Sequence, residues 1–110
     1  MQKTSILTLS ILATAVITAE RFITAAGAPA AAAGNAAGVA DSNGAIGQLV
    51  PTTALGTAVV VAGGAIAKGA AVEVGTAGKA VTLASGKAVA RALSAATADG
   101  DRIEVLLIPN

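Results

Sequence analysis

The chain has 110 residues and a formal net charge of +1, and 55% of it is apolar. Thirty alanines stand against twenty-eight Ile, Leu and Val residues, so the apolar fraction is built from small side chains. Histidine, cysteine, tryptophan and tyrosine are absent and Phe22 is the sole aromatic. These absences remove the usual bases, thiol nucleophiles and stacking platforms, so neither an enzyme activity nor a cofactor is expected.

This length corresponds to one domain, 1–110. Such a domain buries somewhat over about 60% of its unfolded-chain surface. Buried alanine removes little area from water, at about 25 cal/mol per Å², and no disulfide can compensate. Stability is therefore expected to come partly from subunit or scaffold contacts. Seven Lys and Arg nearly balance six Asp and Glu and form no basic stripe, which argues against a nucleic-acid partner. Lys3, Glu20, Arg21 and Asp41 are the only charges before Lys68, and so uncharged a stretch suits surface buried against another protein.

In chain order, Lys3 precedes fifteen uncharged residues, Ser5 to Ala19. The pattern has two readings. One is the cleaved signal peptide of a secreted or surface β-domain, ending at the small residues Thr18 and Ala19. The other is a strand or extended arm, 1–19, because the run carries Ser5, Thr8, Ser10, Thr14 and Thr18. It is shorter than the roughly 20 residues of a membrane-spanning helix, and no membrane partner is expected. Within it, Leu7, Leu9 and Ile11 alternate with Ile6, Thr8 and Ser10, which predicts a strand over Ser5–Leu12.

A short strand is predicted around Arg21–Thr24. The Ala/Gly tract 25–38 follows; Gly27, Pro29, Gly34 and Gly38 interrupt it before a helix could stabilise, so it reads as a loop. Further short runs are predicted at Val39–Ala40, Gln48–Val50, Thr57–Ala62, Ala71–Val74, Lys79–Leu83, Ala88–Leu93 and Arg102–Ile108. Gly-bearing turns separate them, which indicates an all-β fold, a small β-sandwich or barrel-like domain with an extended N-terminal arm. In the last strand Ile103, Val105 and Leu107 share one face. Ala58, Val60 and Ala62 oppose Val59 and Val61. A weak echo links Gly38-Val39-Ala40 and Gly47-Gln48-Leu49-Val50 to Arg91-Ala92-Leu93 and Gly100-Asp101-Arg102-Ile103; two related β-turn-β units or chance would each leave this pattern.

No chemical motif survives inspection. Gly75–Ala80 lacks the glycine spacing of a phosphate loop and has Ala80 in place of Ser or Thr, so a hairpin turn is the better reading. Asp99, Asp101 and Glu104 lack the spacing of a calcium loop. Phe22 reads more readily as a core anchor than as a binding hot spot. Glu20 and Arg21, adjacent in a strand, point to opposite faces.

In order along the chain, Ile6-Leu7-Thr8-Leu9, Ala19 to Thr24, Gly38-Val39-Ala40, Val50-Pro51, Leu55 to Ala58, Lys79-Ala80-Val81, Arg91-Ala92-Leu93 and the ending Gly100 to Pro109 resemble the capsid decoration, or cement, proteins of tailed bacteriophages. The resemblance covers nearly the whole chain. It implies a β-rich homotrimer on the outer face of an icosahedral head, bound to the major capsid protein, made in the host cytoplasm and without catalysis or cofactor. It also implies that Ser5–Ala19 is structural. On this reading, Lys3, Ile6, Leu7, Glu20, Arg21 and Phe22 are the candidate capsid or subunit contacts.

Overall fold

The computed structural model describes residues 2–110, so Met1 of the expected arm 1–19 lies outside the described residues. The fold is all-β. Its strands are β1 (Ser5–Leu12), β2 (Phe22–Ile23), β3 (Gly38–Ala40), β4 (Leu49–Val61), β5 (Ala71–Val74), β6 (Ala80–Thr82), β7 (Ala90–Ala92) and β8 (Arg102–Leu107). They form one sheet ordered β2-β3-β4-β8-β7-β5-β6, with β1 also paired to β4. The sheet curls until Ala80 of β6 bridges Ala62, just past β4, and Gly63 N–H donates to the Ala80 carbonyl. The result is a nearly closed, barrel-like wall. Residues 25–37 are irregular and Gly38, the last residue of the Ala/Gly tract, opens β3, while Gly75–Lys79 is a hairpin turn around a short 3-10 segment.

The longest strand departs from the sequence reading. Gln48–Val50 and Thr57–Ala62 were expected as separate strands because Pro51 and Gly56 punctuate them; they are two halves of β4. Pro51 is tolerated because its carbonyl, accepting the Asp41 N–H, points to the side where β3 has just ended, so the proline omits no ladder bond. Gly56 (φ 100°) sits opposite the irregularity in β1, where a Cβ would collide with the Thr4 carbonyl. Only glycine combines that φ with that approach.

The two halves of β4 begin and end equivalent units, because every ladder in the first half of the chain recurs in the second. Leu12 opposite Leu49, Ile11 opposite Val50, Leu9 opposite Thr52 and Thr8 opposite Thr53 recur as Val61 with Arg102, Val60 with Ile103, Ala58 with Val105 and Thr57 with Leu106. Phe22 opposite Val39 and Ile23 opposite Gly38 recur as Ala71 with Arg91 and Val72 with Ala90. Val39 opposite Thr53 and Ala40 opposite Thr52 recur as Arg91 with Leu106 and Ala92 with Val105. The isolated bridge Ile17 to Gly44 recurs as Ile66 to Ala96. The weak sequence echo is thus the trace of a duplicated structural unit, the signature of internal repetition.

Every residue of the smaller core has a counterpart in the larger one. Ile11, Ala13, Ile17, Ile23, Ala40 and Val50 form one buried cluster, and their counterparts Val60, Ala62, Ile66, Val72, Ala92 and Ile103 all lie in the other. Phe22 joins the two. Ile23 turns into the first cluster, whereas Phe22 and Val39 belong to the second, so the face of β2 and β3 that carries them is covered by the second unit. Their counterparts on the outside of the second unit are Ala71, half-buried, and Arg91, exposed.

Alternation holds in β8, where Ile103, Val105 and Leu107 are buried, and at the end of β4, where Ala58 and Val60, with Ala62 just past the strand, are buried and Val59 and Val61 only partly so. It fails in β1: of its eight residues only Ile11 is buried, because the rest of the strand extends beyond the first core. The run Ser5–Ala19, which also had a signal-peptide reading, contributes β1 and the core residues Ala13 and Ile17.

The equivalence of the cores predicts that Ile17→Ala and Ile66→Ala each destabilise the domain by about 2–5 kcal/mol in urea unfolding. A cost below about 1 kcal/mol for Ile17→Ala alone would show that the first core is not part of the cooperative unit.

Candidate interaction surface

The residues expected to make contacts fall into three environments. The Lys3 ammonium lies 2.6 Å from Asp41 Oδ1, which also accepts the Thr53 hydroxyl at 2.9 Å. Next to it, Thr4 N–H donates to Thr57 Oγ1 and Gln2 N–H to Glu104 Oε1, so the start of the described chain is tied to both units. Glu20 accepts two hydrogen bonds from Arg102, at 2.9 Å from Nε and 2.5 Å from Nη2. This bidentate fork again spans the units, and its hydrogen bonds and charge raise the Arg102 pKa above its ordinary value. Arg21 donates from Nη1 to the Ala77 carbonyl at 3.3 Å.

Phe22 is fully buried. As a contact residue it is therefore corrected: its ring anchors the junction of the two units and offers no surface. Glu20 and Arg21 were expected in a strand but lie in the turn before β2, Glu20 with φ 63°, and each is engaged by its own chain. Ile6 and Leu7 remain, both exposed on β1.

β1 is the structural basis of the surface. One of its edges pairs with β4, and among the described residues no strand pairs with the other. Beside it an apolar groove of about 330 Å³ is lined by Leu7, Leu55, Leu107, Ile108 and Pro109, among others. Asn110 closes one end by bonding Asn35 Nδ2 and the Ala36 N–H through its Oδ1. An unpaired edge flanked by exposed aliphatic side chains is the usual template for adding another chain.

Other polar groups serve the fold. Among the described residues, no group of three or more acidic side chains converges as a metal site would. Asp99 pairs with Lys79 at 2.9 Å, Glu104 holds the Gln2 amide, and Asp101 caps a turn. The Glu73 carboxylate, buried on β5, accepts the Ala84 N–H and anchors the loop after β6. Sequence reasoning missed a set of exposed aliphatics, Leu12, Val16, Ile46 and Leu49. The available signal was Ile46 within the Ala45–Gln48 turn, a position where polar residues are usual.

A model of phage cement proteins matches residues 1–107. The chain belongs to the phage cement protein family. This phage cement protein is therefore a virion-associated structural protein with the capsid as its partner. It is also similar to the N base of the head fiber gp8.5 in bacteriophage phi29, at 21% identity and a TM-score of 0.73 over 93% of each chain, a likeness of fold. No curated protein matches.

The Asp101 carboxylate predicts a pH response in this cement protein. The Thr97 N–H, the Thr97 hydroxyl and the Ala98 N–H all donate to it, and these bonds lower its pKa. Its stabilising effect is complete above the ordinary carboxylate value of about 3.9 and is lost as pH falls through the depressed folded value. Thermal melts of Asp101→Asn against wild type will differ at pH 7 and converge in strong acid; an equal difference at both would contradict this cap.

Proposed function

We propose that the chain, as a single domain 1–110, forms a homotrimer on the outer surface of an icosahedral phage head, where it binds the major capsid protein and stabilises the lattice without catalysis or cofactor. The observation that carries this reading is β1: an unpaired edge with Ile6 and Leu7 exposed beside an apolar groove. Neighbouring copies meet along this edge, with Lys3 at its head and the arm 1–19 belonging to the assembled domain. Synthesis in the host cytoplasm fits assembly onto heads formed there. Occupancy of the shell stabilises both components by mass action, since each binds the folded form of the other.

Placing a charge on an apolar edge opposes strand addition. Ile6→Lys, a change at a solvent-exposed side chain, is expected to convert the trimer to monomer in analytical ultracentrifugation with its β-sheet circular dichroism intact. A monomeric wild-type chain, or an unaltered trimer in the variant, would contradict the role of β1. Purified heads stripped of the protein are expected to lose DNA at a lower temperature than decorated heads; equal thermal release would contradict the cementing role.

A further inference from the structure

The duplicated units end in the same turn with opposite chemistry. In the second unit, Asp101 N–H donates to the Ala98 carbonyl at 3.3 Å, the Asp101 side chain accepts the Ala98 N–H at 3.1 Å, and Gly100 has φ 95°. In the first unit, Gln48 N–H donates to the Ala45 carbonyl at 3.0 Å, the Gln48 side chain accepts the Ala45 N–H at 2.8 Å, and Gly47 has φ 90°. Backbone and cap are the same. The outward side chains are not: Ile46 stands where the second unit has Asp99, Leu49 where it has Arg102, and Val16 where it has Ala65.

The second unit is therefore an internal control. It shows that this turn and the ladder behind it form with side chains suited to water, two of them in ion pairs, Asp99 with Lys79 and Arg102 with Glu20. Ile46 and Leu49 are therefore not required by the backbone they stand on, whereas Leu12 has an aliphatic counterpart in Val61. Yet Ile46 is 69% exposed, Val16 68%, Leu49 66% and Leu12 54%. Leu12 lies directly opposite Leu49 in the ladder, and the Ile17–Gly44 bridge brings the Val16 segment against the turn. Together they gather four exposed aliphatic side chains around one turn and the ladder end beside it, and an exposed apolar cluster of this kind is where soluble proteins commonly bind a partner. Neither contributing stretch, Thr4–Ala19 or Ser42–Ala67, contains an Asp, Glu, Lys or Arg.

We infer that this tip, Leu12, Val16, Ile46 and Leu49, is the surface that docks on the capsid, in an uncharged apolar depression of the shell protein. The inference rests on the proposed function and names the contact that function leaves open. The tip offers side chains only: Leu12 and Leu49 are the last pair of their ladder, Val16 and Ile46 lie outside the strands, and beyond the pair Ala13 N–H is taken by the Gln48 carbonyl and Thr14 N–H by the Gly27 carbonyl, so it is no template for a further strand of a second copy. Copies joined along β1 about a cyclic axis carry their tips at one height and facing one way. Several weak apolar contacts then act together on the shell, multiplying avidity without further contacts. The opposite chemistry, Asp99 and Arg102, stays in water on the second unit, each paired with a half-buried partner, Lys79 and Glu20.

The test imports the second unit's residues into the first: Ile46→Asp and Leu49→Arg, singly and together, in the full-length chain. Copies bound per purified head stripped of the protein are counted by quantitative gel, and the free oligomer's mass is measured by analytical ultracentrifugation. The expected result is head binding weakened at least about tenfold in the double variant, an unchanged oligomer mass and sheet spectrum, and wild-type binding by Asp99→Ala. Wild-type binding that does not weaken as salt rises is also expected for an uncharged contact. A double variant that decorates heads normally overturns the inference, as does one whose oligomer dissociates, which would make the tip a contact between copies. Failure of the wild-type chain to bind heads would instead overturn the capsid-binding function itself.

Discussion

The fold depends on one strand serving two units. β4 closes the first unit with its leading half and opens the second with its trailing half, and Gly56 lets the backbone change partners between them without leaving the ladder. A side chain there would strike the Thr4 carbonyl. Because the strand is continuous, the two small cores cannot separate. Phe22 reinforces the joint by carrying the chain's one large ring from the first unit into the core of the second.

This arrangement explains how a domain so rich in alanine is supported. Alanines occupy the same core positions twice, Ala13 with Ala62 and Ala40 with Ala92, where the wall of each unit closes tightly. Thr14 N–H reaches the Gly27 carbonyl in the first unit and Gly63 N–H the Ala80 carbonyl in the second. Small side chains allow that close approach, and aliphatics at Ile17 and Ile66 fill what remains. Each core is small, so contacts outside the chain carry more weight than they would for a domain with a large core.

Much of the fold was legible where burial is one-sided. Ile103, Val105 and Leu107 alternate because β8 has one wet face, and the strand predicted at Ala71–Val74 has those bounds in the structure. The echo between Gly47-Gln48-Leu49-Val50 and Gly100-Asp101-Arg102-Ile103 was visible because the turn glycine needs a left-handed backbone in both units. In its earlier half the structure shifts the match by one residue: Val39 matches Arg91, and Ala40 matches Ala92. Three features could not be read. Pro51 and Gly56 look like breaks unless the neighbouring strands are known. Exposure of β1 depends on how far the first core reaches. The apolar tip emerges only when Ile46 and Leu49 are set beside Asp99 and Arg102, a comparison that needs the register.

The same duplication gives the cement protein two equivalent turns of different character, one prepared for water and one for a protein surface. Hydrogen exchange measured on the free protein and on decorated heads tests this most directly, because both turns are built alike and report on the same scale. The account predicts slowed exchange on the head at the Ala45–Gln48 turn and around Val16, with the Ala98–Asp101 turn unchanged. Protection at the Ala98–Asp101 turn instead, or equal protection at both, would contradict it.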